Sequence, residues 1–263
     1  MKNYKIFTFI SLFLIAFAAH ASVEVMGSLK HLYKAKPGDI IKGEIRIQNN
    51  DPTDQEVRIY QTDLLYNLEE STFYDEPEAH ARSNAKWIQF SPKTLVLKPK
   101  ETRLIQYEIV VPKNAALNGT YWSIMMVEGV MPIDPTQQGD LSIRTLTRYA
   151  IQMVTEMENA GNGSLKFLEP TLIRDENKNL FLAVDLQNNG DRYISPEITI
   201  EFFDSKGESV ATLTAPRKGL YPYTSTRFKI DLKGLPSKKT YKAMIIAAGK
   251  DDDVFGLEYT LYF

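Results

Sequence analysis

The feature that most constrains this chain is a period of two. Ile45 and Ile47 alternate with Glu44, Arg46 and Gln48, and Ile105, Tyr107, Ile109 and Val111 alternate with Gln106, Glu108 and Val110. The same pattern returns at Ile198, Ile200 and Phe202, and again at Phe228, Ile230 and Leu232. Successive side chains of an extended backbone point to opposite sides, so each segment reads as a strand with one buried and one wet face. A helix would need apolar spacings of three and four, and no long stretch carries them. Turn-forming clusters separate the strands, at Asn49-Asn50-Asp51, Glu176–Asn179, Asn188-Asn189-Gly190 and Asp204–Gly207. Asn, Asp and Gly tolerate the positive φ that tight turns demand.

Many short strands with regular turns pack as sandwiches rather than as βαβ units. The expected fold is all-β, with two immunoglobulin-like β-sandwich domains in tandem. The polar, Gly-containing stretch Glu156–Ser164 separates them, which places an N-terminal domain at 22–158 and a C-terminal domain at 159–263. Leu68–Lys86 is long, charged and contains Pro77, and is expected to be an exposed loop with a helical turn. The 131–140 stretch is expected to be a loop, because Pro132 and Pro135 cannot donate to a ladder. Trp87 and Trp122 are expected to anchor the core, and Tyr221-Pro222-Tyr223 to form a turn packed on the sheet. Phe263 is read as the end of the last strand, with Tyr259 and Leu261 on the same face.

The first residues serve export and not the fold. Lys2 and Lys5 precede an uncharged run, Ile6–Ala19, which ends in Ala19-His20-Ala21. A basic start, a short apolar stretch and small residues two apart mark a secretory signal over 1–21, cut after Ala21. The run has 14 residues, fewer than the roughly 20 that span a bilayer. Later apolar stretches, Tyr121–Val127 and Ala243–Ala248, are shorter still, so no membrane insertion is expected. The chain has no cysteine, so an exported protein of this sequence is held by its cores without disulfides. It carries 31 basic and 33 acidic residues, and the signal removes only bases. That balance excludes a charge-driven hold on nucleic acid.

Catalytic chemistry finds no foothold. Beyond the signal the histidines are His31, on an expected strand, and His80, in the long loop; a histidine zinc site needs at least two converging on one place with further ligands, and these two read as unrelated. There is no thiol and no G-x-S-x-G elbow, and a serine triad would need one of those two histidines beside a Ser and an acid. Asp251-Asp252-Asp253 lacks the spaced ligands of a calcium loop and reads as a solvated hairpin tip. No catalytic, cofactor or metal site is expected, and the chain is not read as an enzyme.

Several segments, taken in order, carry a resemblance. An opening strand, Val23–Lys34, precedes Gly38-Asp39 and a strand ending at Asn49-Asn50. Trp87-Ile88-Gln89-Phe90-Ser91-Pro92 leads into Leu95-Val96-Leu97-Lys98-Pro99, and Gly119–Met126 and Leu141–Val154 follow. Over most of Ser22–Met157 this order resembles the N-terminal domain of PapD-like periplasmic pilus chaperones, and the second half resembles their C-terminal sandwich. The resemblance implies a periplasmic protein that lends its last N-terminal-domain strand to an incomplete pilin-like subunit by strand addition. It also implies a basic pair between the domains that holds the subunit's terminal carboxylate.

On this sequence the family's cleft Lys falls on Gln152, and the cleft Arg of the first strand has Lys30 or His31 nearest to it. The alternating apolar positions fall on Ile143, Thr145 and Thr147, with Arg144 and Arg148 as alternative cations. The expected partner-binding residues are therefore Leu141, Ile143, Arg144, Thr145, Arg148, Gln152 and Lys30. The partner implied is a pilin-like protein subunit or another envelope protein, and an open edge strand also permits self-association. The alternative reading is a structural or adhesive cell-envelope protein with two immunoglobulin-like domains and no chaperone activity.

Overall fold

The computed structural model describes residues 23–69, 72–130, 147–250 and 253–263. The signal segment, the 131–140 stretch, Leu141, Ile143, Arg144 and Thr145 lie outside the described residues.

The first sandwich is built from β1 (Val23–Met26), β2 (Lys30–Ala35), β3 (Ile40–Asn49), β4 (Gln55–Tyr66), β5 (Thr72–Asp75), β6 (Ile88–Ser91), β7 (Thr94–Leu97), β8 (Thr102–Val110), β9 (Thr120–Val130) and β10 (Arg148–Met157). One sheet has the order β1-β3-β8-β6; the other has the order β2-β10-β9-β4-β5, with β7 also on β4. The alternating residues named from the sequence meet between these sheets: Ile45, Ile47, Ile105, Tyr107 and Ile109 are buried together with Val57, Ile59, Ile151 and Met153. Burying a side chain of this size stabilises the fold by roughly 1.5–3 kcal/mol, so the alternation alone determines which face turns inward.

The second sandwich follows the same logic. It comprises β11 (Leu165–Phe167), β12 (Thr171–Arg174), β13 (Leu180–Asn188), β14 (Glu197–Phe203), β15 (Ser209–Ala215), β16 (Ser225–Asp231), β17 (Thr240–Ala248) and β18 (Val254–Tyr262). Strand β13 carries β11 and β12 along one edge and β16 along the other. The facing sheet has the order β15-β14-β17-β18. Ile198, Ile200, Phe202, Phe228, Ile230 and Leu232 fill its core. Tyr259, Leu261 and Phe263 share the core side of the last strand, as the sequence pattern requires. Asp253 is no free carboxylate at a hairpin tip: it accepts from Arg192 at 2.6 Å. Among the described residues no helix is long and apolar enough to cross a membrane.

Two expectations need correction. The opening strand is not continuous. It breaks at Gly27, whose φ is +101°, a value glycine adopts without steric cost. Before the break β1 pairs antiparallel with β3; after it β2 crosses to the other sheet and pairs parallel with β10. The 68–86 stretch is not an exposed loop throughout. Thr72–Asp75 forms β5 against the end of β4, and Arg82, Asn84 and Ala85 are buried. Asn84 donates to the Met153 carbonyl and the Thr155 hydroxyl, both at 3.0 Å, which draws the segment inward in spite of its polar composition. The helical turn is real, a single 3-10 turn at Ala85–Trp87.

Candidate functional site

Strand β10 is the element from which the site is built. On one side it pairs antiparallel with β9 along its whole described length, Arg148↔Glu128 through Glu156↔Thr120. On the other side β2 covers it only from Gln152↔Lys30 to Met157↔Ala35. The Gln152 amide donates outward to the Leu29 carbonyl at 2.8 Å. Alternation along an antiparallel strand then turns the amides of Ala150 and Arg148 to the same side, where no described strand lies. Among the described residues, nothing covers the edge from Arg148 to Ile151.

The two faces of β10 look at different surroundings. Ile151 and Met153 point into the first sandwich. Ala150 and Val154 point the other way, into a third apolar cluster formed by Leu64, Trp122, Ile124, Met126 and Tyr221. This cluster is the seam between the two sandwiches. Trp122 is fully buried, as an anchor should be, but it fills this seam and not the sandwich interior; Trp87 fills the interior. Trp122 stacks on Tyr221 with ring centroids 4.6 Å apart and planes 12° apart. Tyr221 belongs to the turn expected to pack on its own sheet, and instead crosses to the other sandwich, while Tyr223 beside it is 62% exposed.

Polar contacts lock the seam. The Tyr221 hydroxyl donates to Gln152 Oε1 at 2.7 Å, and the Tyr66 hydroxyl donates to the Gly219 carbonyl at 2.8 Å while accepting from the Tyr221 amide. Arg82 forms an ion pair with Asp191 and donates to the Asn118 carbonyl at 2.8 Å. The Thr120 amide donates to the Asp191 carbonyl at 2.8 Å, and the Tyr193 amide donates to the Thr120 hydroxyl at 2.8 Å. Gly119 has a φ of +64°, and a Cβ there would lie 1.9 Å from the Asp191 carbonyl oxygen, so only glycine permits this approach. Burial pushes the Tyr66 phenol up to about 12 and raises that of Tyr221 further. Both hydroxyls therefore remain protonated donors at neutral pH.

Lys30 and Gln152, placed together by the resemblance, are register partners at the mouth of the seam. The Lys30 ammonium sits 3.8 Å from the Tyr193 ring centroid and has no acidic partner among the described residues. His31, the other residue near that position, points away and lies 3.1 Å from the Tyr107 hydroxyl. Arg148 is near the open edge, but its Nε lies 3.3 Å from Glu128, which also receives the Tyr60 hydroxyl at 2.7 Å and Arg58 at 3.4 Å. Desolvation pushes the Glu128 carboxyl up, yet the hydrogen bonds from Tyr60 and Arg58 and the two arginine charges together bring it below the usual range. Arg148 is thus an engaged cation, whereas Lys30 is available to an anion.

A cavity of about 310 Å³ opens beside Gln152, lined by Tyr66, Tyr74, Ala150, Tyr193 and Tyr221. A second, of about 380 Å³, continues from it past Tyr74 and Ala150 to Tyr60, Met126 and Arg148. The two form one aromatic groove beside the open edge. Sequence reasoning did not place Tyr66, Tyr74, Tyr193, Arg82 or Asp191 in the site. The only sequence signal of the three tyrosines is the frequency of that residue, 14 in the chain, which does not say which of them meet, and Arg82 and Asp191 carry no signal.

No family model matches the sequence, and no curated protein matches it. Solved structures do match over nearly the whole chain. A chain of the chaperone–tip adhesin complex of CFA/I fimbriae is 15% identical, with a TM-score of 0.50, covering 91% of this chain and 98% of its own. The class 5 fimbriae chaperone CfaA is 15% identical, with a TM-score of 0.48, covering 90% and 98%. A chain of the complex of SafA pilin with the SafB chaperone from Salmonella enterica is 11% identical, with a TM-score of 0.46, covering 92% and 97%. The fold of this protein is the tandem-sandwich, PapD-like fold.

Proposed function

We propose that this protein is a periplasmic, non-enzymatic chaperone that binds a pilin-like subunit by β-strand addition along β10. The observation that carries the reading is the Arg148–Ile151 edge, which no described strand covers and which ends where β2 begins and where Lys30 faces the seam with no acidic partner among the described residues. An added strand would gain backbone hydrogen bonds from Ala150 and Arg148, and its terminal carboxylate would meet Lys30 and the Gln152 side chain. Leu141, Ile143 and Thr145 would extend the pairing surface upstream, with Arg144 as a further cation. Residues 22–158 would supply the pairing strand, and residues 159–263 the Tyr193 and Tyr221 wall of the groove.

The fold shared with fimbrial chaperones supports this reading, as does a signal-like leader that would deliver the chain across the inner membrane. The test is affinity purification of the tagged protein from its native envelope fraction, with mass spectrometry of what accompanies it. A stoichiometric, β-rich secreted subunit is expected, and it should be lost in Ala150→Pro, which removes an outward amide. Recovery of the same subunit with that variant, or of cell-wall fragments in place of a subunit, would make this protein an envelope scaffold.

A further inference from the structure

Strand β2 shows where a residue lying alongside β10 sends its side chain. Lys30 is the register partner of Gln152. Its ammonium reaches over the seam-facing side of the sheet, 3.8 Å from the Tyr193 ring centroid and 5.5 Å from that of Tyr221. A strand added along Arg148–Ile151 would continue the line of β2. Its residue opposite Ala150 would stand one strand repeat, about 6.6 Å, from Lys30 and turn its side chain to the same face. That face carries the cavity of about 310 Å³, with Ala150 in its lining. Neighbours on one face of paired strands lie about 5 Å apart, and the short methyl of Ala150 leaves the way from the edge into the cavity clear.

The walls define the side chain that fits. The first sandwich supplies Tyr66 and Tyr74 with apolar Leu64 and Ile124, and the second supplies Tyr193 and Tyr221. Two of the hydroxyls are already engaged, that of Tyr66 with the Gly219 carbonyl and the Tyr221 amide, and that of Tyr221 with Gln152. Ring surface is therefore what these walls offer. The rings are inclined to one another, Tyr66 to Tyr221 by 57° at 6.3 Å and Tyr193 to Tyr221 by 52° at 5.0 Å. Inclined rings with centroids about 4.5–7 Å apart attract through their opposed edges and faces, and a further ring can join such a set. No lining residue is charged, so a charged side chain would shed its water there with no partner in the wall.

We propose that this cavity is a specificity pocket for an aromatic side chain of the captured segment, the residue that pairs alongside Ala150. Its walls come from both sandwiches, so the choice of side chain depends on the seam that holds them together. The pocket rests on strand addition along β10 and adds to it a preference among segments, for those with an aromatic residue close to the free carboxylate.

The test uses the purified protein and synthetic peptides of alternating valine and threonine, with lysines at the amino end for solubility and a free carboxylate at the other. A single phenylalanine, or an alanine as its control, is placed in turn at each position near the carboxylate. NMR follows the Ala150 and Arg148 amides, which report strand addition, and the Tyr66 and Tyr193 ring protons, which report the pocket. The expected result is one position at which phenylalanine binds at least about tenfold tighter than alanine, with shifts at both rings. Ala150→Leu, which blocks the way into the cavity, should bring that ratio close to one. Should this variant not fold, Tyr74→Ser makes the same comparison, because Tyr74 is half exposed and removing its ring takes away one wall. Amide shifts with no preference for phenylalanine at any position, or a preference that survives the substitution, would overturn the pocket and leave strand addition standing. No shift of the Ala150 amide with any peptide at millimolar concentration would overturn strand addition along this edge, and the pocket with it.

Discussion

The two halves of strand β10 share one strand geometry and one neighbour, β9, and differ in what lies on their other edge. From Gln152 onward β2 closes the ladder; from Arg148 to Ile151 nothing described does. In the covered half the outward amide of Gln152 is bonded to Leu29, while in the other half the amides of Ala150 and Arg148 face out with no partner strand among the described residues. Proteins normally cover, charge or shorten such an edge. Here the stretch adjoins an aromatic groove and a lysine with no acidic partner among the described residues. The comparison shows that one strand can be paired on both edges along half its length and on one edge only, among the described residues, along the rest, the division being set by where a neighbouring strand begins.

The largest effect expected is in the covered half. Met153→Ala should cost about 2–5 kcal/mol in urea unfolding, because Met153 is buried in the first core. Arg148→Ala in the open half should stay within about 1 kcal/mol, since its ion pair with Glu128 is partly exposed and Arg58 remains. Equal losses at both positions would remove the distinction. A sharper contrast comes from proline. Gln152→Pro deletes the donor to Leu29 and should destabilise by about 1–3 kcal/mol, whereas Ala150→Pro deletes only an outward amide and should unfold at nearly the parental urea concentration. A large loss of stability in Ala150→Pro would mean that the edge is covered.

Smaller changes probe the seam beside the open half. Tyr221→Phe keeps the ring stacked on Trp122 and removes the hydroxyl that holds Gln152, for an expected loss of about 1 kcal/mol by thermal or chemical unfolding. An unchanged midpoint would show that Gln152 is held by something else. The smallest effect expected is acidic. The Glu128 carboxyl titrates below its unfolded value, so it contributes stability that is present above about 4.3 and lost as pH falls through its folded value. Glu128→Gln should flatten that part of the melting profile between pH 5 and pH 3. A parental slope in the variant would place the acid sensitivity elsewhere.

Much of this architecture is legible in the alternation of Ile45 and Ile47, of Ile105 through Val111, and of Ile198 through Phe202. Each pattern places the right residues in the right core because strand parity is a local property. The polar 82–86 stretch was misjudged for the converse reason. Its burial depends on Asn84 reaching backbone and hydroxyl acceptors on β10, partners that its composition does not reveal. Gly27 marks the break in the opening strand in retrospect, but a glycine in a strand pattern is equally compatible with a bulge.

The sequence by itself determined an all-β chain of two sandwiches, the apolar faces of its strands and a leader typical of export. A family resemblance, carried by the order of motifs along the first half, further put Gln152 and either Lys30 or His31 at one cleft. Only the tertiary structure decided that β2 stops covering β10 at Gln152, that Trp122 faces the seam, and that Tyr66, Tyr193 and Tyr221 converge there. Periodicity is written by neighbours in the chain, whose side chains alternate whatever the rest of the molecule does. Which edge stays open, and which aromatic rings stack, depends on pairings between residues more than sixty positions apart, and no local pattern encodes them.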